Sequence, residues 1–168
     1  MKVQFLALIA ALGVCDSTAV RSSEPKAQLS YYCKPQIASG ISFNDRQKEW
    51  VPTPFEPGKA FVLTLKYLGE TTHKSYPGVF KTFDTYNITI TYEGEDHKSS
   101  CIGMTLPDSD VVEVVEGDVV RCSRYFGDVF FFHPRTNRFL EAYLRGYLEG
   151  DQPGNTPAVT AGVCTKIN

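Results

Sequence analysis

The sequence offers little that could do chemistry. Its three histidines, His73, His97 and His133, are the only side chains that ordinarily titrate between pH 5 and 8. No G-x-S-x-G, no H-E-x-x-H and no phosphate-binding glycine loop occurs, so the common hydrolase, metalloprotease and nucleotide-binding templates lack support. The five cysteines include no C-x2-C pair, which structural zinc sites need. Runs of lysine or arginine are also missing, with 17 basic residues scattered among 19 acidic ones for a formal net charge of −2. A chain of that balance has no electrostatic footprint for nucleic acid. The acidic clusters at Glu93–His97 and Asp108–Asp110 lack EF-hand spacing and read as solvated turns. No metal, no cofactor and no nucleic-acid partner is expected.

The first residues carry a different signal. Lys2 precedes an apolar stretch, Phe5 to Val14, too short to span a bilayer and suited to the hydrophobic region of an export signal. Ser17-Thr18-Ala19 supplies the small residues that signal peptidase reads, so residues 1–19 are expected to be a signal peptide. A second route is open, since Leu12-Gly13-Val14-Cys15 resembles a bacterial lipobox and would make Cys15 a lipid anchor. Val14 departs from that pattern, which expects a small residue there. After cleavage no apolar run is long enough to span a membrane. Residues 20–29 (VRSSEPKAQL) are polar and without period, a flexible leader. Residues 30–168 are expected to form a single β domain, large enough for one core.

Export makes disulfides the default for Cys33, Cys101, Cys122 and Cys164. Of the three possible pairings, Cys33–Cys164 with Cys101–Cys122 is favoured. The first ties the terminal strands, and the second closes a short excursion at a stabilisation of roughly 3 kcal/mol. Cysteines so committed supply no thiolate nucleophile.

From Ser30 onward, short β-rich runs alternate with turn chemistry. Ala60 to Tyr67 places Phe61, Leu63 and Leu65 on one side, and Tyr86 to Tyr92 sets Tyr86, Ile88, Ile90 and Tyr92 against Asn87, Thr89 and Thr91. Asn44–Lys48 suits a hairpin between Gly40–Phe43 and Glu49–Val51. Pro52, Pro54 and Pro57 mark a loop, as does Gly69–His73. Lys98–Met104, Val111–Val115, Asp118–Ser123 and Thr156–Ile167 complete the strands. The expected class is all-β, a single small antiparallel β-barrel or β-sandwich with disulfides.

One stretch admits two readings. In Gly127–Gly150, a helix would put Phe139, Tyr143 and Tyr147 on one stripe with Leu140, Leu144 and Leu148. Gly146 and the lack of an N-cap oppose it. A hairpin turning through His133–Asn137 is preferred, with Phe130 and Phe132 in the core, joined by Leu140, Ala142 and Leu144. Phe139, Tyr143 and Tyr147 would then cover the other face. With Trp50 and His133, these three form the candidate binding surface.

Several short motifs together carry a resemblance: Tyr32-Cys33, Gly40-Ile41-Ser42-Phe43 with Trp50, Phe130 to Pro134 leading to Arg138-Phe139, Gly146-Tyr147, and Gly162-Val163-Cys164. The chain is similar in these to small exported alphaproteobacterial proteins, which implies a disulfide-bearing periplasmic β domain and carries over no catalytic residue. Ser39-Gly40-Ile41-Ser42-Phe43 also resembles the Ser-Gly-x-x-Tyr loop of periplasmic inhibitors of c-type lysozyme, departing at Phe43. The expectation is an exported, periplasmic or secreted, non-enzymatic binding module of the cell envelope, its partner a protein or an envelope component. The alternatives are a small-molecule or lipid carrier with an apolar barrel cavity and a lysozyme-inhibitor-like barrel. A carrier requires a closed apolar cavity of about 300 Å³ or more, and a binding module a filled interior with an exposed apolar patch. An enzyme requires His133 or His73 beside a carboxylate in a cleft.

Overall fold

Period-2 patterning becomes strand almost everywhere the chain is placed. The computed structural model describes residues 28–76, 78–103, 110–114, 119–124, 128–151, 154 and 156–168. The expected signal peptide, Cys15 and most of the leader lie outside the described residues. Among these residues eleven strands occur in the order β1 (Gln28–Asn44), β2 (Glu49–Phe55), β3 (Phe61–Tyr76), β4 (Val79–Tyr92), β5 (Ser99–Ser100), β6 (Ile102–Gly103), β7 (Val111–Val114), β8 (Val120–Ser123), β9 (Asp128–His133), β10 (Arg138–Tyr143) and β11 (Ala158–Lys166). A short 3-10 turn, Gly146–Glu149, follows β10.

All pairings are antiparallel, in one sheet ordered β5-β4-β3-β1-β11-β10-β9-β8-β6, with β2 added to β1 and β7 to β4. The sheet curls without closing, an open barrel. Its two end strands, β5 and β6, are neighbours in sequence with Cys101 between them. The Cys101 amide donates to the Ile88 carbonyl of β4 (2.9 Å), while its sulfur is bonded to Cys122 of β8. A single residue therefore joins the two sides of the seam. The other disulfide, Cys33–Cys164, links residues directly opposed on β1 and β11.

The inward side chains fill the interior. Phe61, Leu63, Ile88, Ile90, Phe130 and Phe132 are at most 1% exposed, each contributing roughly 1.5–3 kcal/mol on burial. Edge-on aromatic contacts knit the two sides together: Tyr31 to Phe132 at 4.7 Å, Phe61 to Phe139 at 5.0 Å and Phe61 to Phe130 at 6.0 Å.

The stretch around Phe130–Phe132 is a hairpin. Its turn spans residues 134–137 and ends on Asn137 at φ 53°, a left-handed position that asparagine tolerates. Ala142 is buried as expected, but the expected facing of Phe139, Leu140 and Leu144 is inverted. Phe139 is 3% exposed and lies in the core, whereas Leu140 is 40% and Leu144 57% exposed. Phe139 stands opposite Phe132 on one side and Gly162 on the other. A Cβ at Gly162 would come within 2.5 Å of the Phe139 ring, so the glycine makes the space that draws Phe139 inward.

Four further expectations change. Pro52 and Pro54 lie within β2, not in a loop. That strand pairs only with β1 among the described residues, so proline's missing N–H falls on an edge, where it is tolerated. His73 is on strand β3, which continues past an irregularity at Gly69 (φ 137°) to Tyr76. Of the expected strand Lys98–Met104, the described part, up to Gly103, yields two short strands on either side of Cys101, and Met104 lies outside the described residues. Gln28 and Leu29, read as leader, are paired with Lys66 and Leu65.

Candidate functional site

Because β9, β10, β11 and β1 turn one set of side chains into the core, the alternate set forms an outer wall, and the register aligns it in rows. Phe131 faces Leu140, which faces Ala161, which faces Ile37. On one side of this apolar row lie Val129, Ala142, Val159 and Ser39, and on the other His133, Arg138, Val163 and Lys34. None of these twelve positions is acidic, although the chain as a whole carries more acids than bases.

The wall is indented. A groove of about 540 Å³ is lined by Val119, Phe131, His133, Arg138, Phe139, Leu140 and Val163 among others, with no carboxylate among the described lining residues. A second depression of about 320 Å³, between Tyr32, Lys34 and Ile167, shares Val163 with it. Cations stand along this surface: the Arg121 guanidinium lies 5.6 Å from the Phe131 ring centre, and the Lys34 ammonium 5.5 Å from that of Tyr32. Exposed apolar side chains are otherwise costly to leave in water. Here Ile37 is 63% exposed and Leu140, Val163 and Val159 are each 36% or more.

His133 is part of this groove, as its position before Pro134 suggests. Its Nδ1 accepts a hydrogen bond from the Arg135 amide (3.2 Å), so in the neutral ring the proton sits on Nε2. His73 has a carboxylate neighbour, Glu113 Oε1 at 2.6 Å, but the Thr71 hydroxyl, at 3.4 Å, meets the same ring nitrogen. A hydroxyl–imidazole–carboxylate relay requires the two partners on different nitrogens. His73 is also half exposed, and His97, 3.4 Å from Glu95, is more exposed still. Among the described residues, His133 lines the groove, while His73 and His97 each have a carboxylate neighbour.

The remaining candidates are dispersed. Trp50 and Tyr147 do meet, edge to face at 5.1 Å, and the Trp50 indole donates to Asp151 (2.8 Å). Phe43 completes this satellite cluster at 5.6 Å from Trp50. Tyr143 is half-buried at the end of β10, and Phe139, as noted, is core. Of the five, His133 and Phe139 line the groove.

No family model, curated protein or solved structure matches this chain.

A polar cluster inside the barrel went unread in the sequence. Arg124, 7% exposed, contacts the Glu141 carboxylate, donates to the Tyr92 hydroxyl and lies 3.7 Å from Asp128. Burial pushes the Glu141 carboxyl up to about 7 even beside that guanidinium. Glu141 opposes Phe130 and Thr160, so it points into the barrel. Its pairing with Arg124 is what makes an inward acid tolerable, since a buried charge requires a partner. No group of three or more His, Cys, Asp or Glu side chains arranged to hold a metal occurs among the described residues. Ser39-Gly40-Ile41-Ser42-Phe43 is mid-strand, with Ser39 and Gly40 paired on both sides, and so presents no protruding loop. Among the described residues no helix is long and apolar enough to cross a membrane.

Proposed function

We propose that this chain is an exported, non-enzymatic binding module of the cell envelope whose partner docks on the outer wall of β9, β10, β11 and β1. The observation that carries the reading is the open apolar groove of about 540 Å³ on that wall, set over an interior filled by its own aromatic side chains. A carrier with an internal site would need that interior for its ligand. The two disulfides, of the kind that persist in oxidising compartments, support export, as does the apolar stretch after Lys2.

The test uses the full chain, produced in an exporting host so that its leader is processed as the cell processes it. Immobilised protein is exposed to envelope extract, and what it retains is identified by native mass spectrometry, beside the Leu140→Asn variant. The proposal expects a component retained by the parent and lost from the variant. Retention unaffected by Leu140→Asn would move the binding site off this wall, and turnover of a retained component would end the non-enzymatic reading.

A further inference from the structure

We infer that the occupant of the outer wall is a free anionic single-chain amphiphile, its alkyl tail along the Phe131–Leu140–Ala161–Ile37 row and its carboxylate or sulfate head against Arg138 and Lys34. The inference rests on the binding face proposed above and adds the chemistry of what fills it.

Three features of the wall select this chemistry. The first is polarity by row: the apolar side chains and the cations are segregated into adjacent rows of the same four strands. A ligand that matches both must itself be apolar along one side and anionic at an end. The second is the sign of the charge. His133, Arg138 and Lys34 stand in one row and no acid occupies any of the twelve aligned positions, so among the described residues a cationic head meets like charge and an anionic one gains charge-assisted hydrogen bonds. Arg138 offers a planar fork suited to two oxygens, and the His133 ring, with Nδ1 accepting from the Arg135 amide, adds a donor at Nε2.

The third feature is shape. A groove joined through Val163 to a second depression is concave and elongated, and crossing from β9 to β1 covers three strand spacings of about 4.8 Å each. A planar lipid surface cannot fill such a concavity, whereas an extended tail can. A polypeptide is disfavoured for a different reason. Each of β9, β10, β11 and β1 is paired on both sides, so no open edge is available there for an added strand, the usual source of main-chain affinity.

The probe is dodecanoate below its micelle-forming concentration, titrated calorimetrically and by amide chemical shifts into the full chain, with dodecyltrimethylammonium as the matched cation. Dodecanoate is expected to bind about tenfold more tightly than the cation, the amount one charge-assisted contact accounts for. Shifts should concentrate on Phe131, Leu140 and Val163. The exposed pair Arg138→Glu with Lys34→Glu should abolish the preference for the anion, and Leu140→Asn should weaken both probes. Equal affinity for the two probes overturns the inference, as does dodecanoate binding that ignores both variants. If dodecanoate fails to bind while an envelope component is still captured through Leu140, the amphiphile is overturned and the binding face stands. If both fail, both fall.

Discussion

Replacing Cys101 and Cys122 together by alanine removes the disulfide at the seam of the open barrel, leaving only the backbone between β5 and β6 to join its two sides. The bridge spans 21 residues, for which unfolded-chain entropy gives a loss of about 3 kcal/mol. Domains of this size have total stabilities of roughly 5–15 kcal/mol and urea slopes of about 2 kcal/mol per molar, so the midpoint should fall by about 1.5 M. The structure adds a local expectation. Cys101 is the point where β5 and β6 meet, and its amide reaches Ile88 across the gap. Without the bridge, the amides of residues 101 and 103 should exchange with deuterium faster than the global unfolding rate allows, while those along β1 and β11 should not. The Cys33–Cys164 pair makes the contrast. It closes 131 residues, about 5 kcal/mol on the same basis, yet it joins residues already opposed in a ladder, so its loss should lower stability without opening any local seam. A midpoint shift of less than about 0.5 M, or seam amides that remain as protected as the core in the Cys101/Cys122 variant, would refute the assignment of that disulfide as the clasp of the barrel.

Phe139→Ala should cost about 3–5 kcal/mol in urea melts, as for other buried phenylalanines, while Leu140→Ala next to it should stay within roughly 0.5 kcal/mol. Equal losses would contradict the inverted facing of β10. With Glu141 raised from 4.5 to about 7 by burial, the unfolded chain releases a proton between those values that the folded chain keeps. Stability from this group is therefore present below about pH 4.5 and is lost as pH rises toward 7, by roughly 3 kcal/mol at most. Urea melts at pH 5 and 7.5 should show this decline in the parent and a flatter response in Glu141→Gln. Gly162→Val should prevent folding or displace Phe139, because its first side-chain carbon has no room against the Phe139 ring and the Lys34 carbonyl, a loss that Phe139→Ala in the same chain should partly restore.

What could be read from the sequence was whatever depended on neighbours in the chain. Phe61, Leu63 and Leu65 declare their face by alternation, and so do Ile88 and Ile90. The Asn44–Lys48 turn is equally local, with the Asn44 side chain accepting from the Arg46 and Gln47 amides. Facing along β10 was not local. Phe139 and Leu140 are both large and apolar, so alternation alone cannot choose between them. Gly162, on a strand more than 20 residues later, makes the choice by leaving space for a ring. The proline-rich β2 was misread because an edge position is a property of the whole sheet. The outer wall was illegible for the same reason: Lys34, Arg138 and His133 form one row only after β1, β10 and β9 are placed in register. Arg124 and Glu141 lack any motif and meet only once the sheet has formed. Of the five candidate surface residues, His133 was found because a histidine before a turn proline sits at a strand end, and Trp50 met Tyr147 for reasons no spacing shows.

The pairing of β1 with β11 has a consequence for how the protein folds. β1 is the central ribbon of the sheet, flanked by β3 along its first half, by β2 along its second and by β11 across the middle. β11 comes far later in the sequence, with Cys164 standing 131 positions after the Cys33 that it faces. The middle of the ribbon therefore keeps one flank open until β11 reaches it. Closing that flank is a contact between distant parts of the chain, the kind of pairing that folds slowly. A chain stopped short of Cys164 leaves Cys33 without its partner and much of the ribbon unpaired on that side.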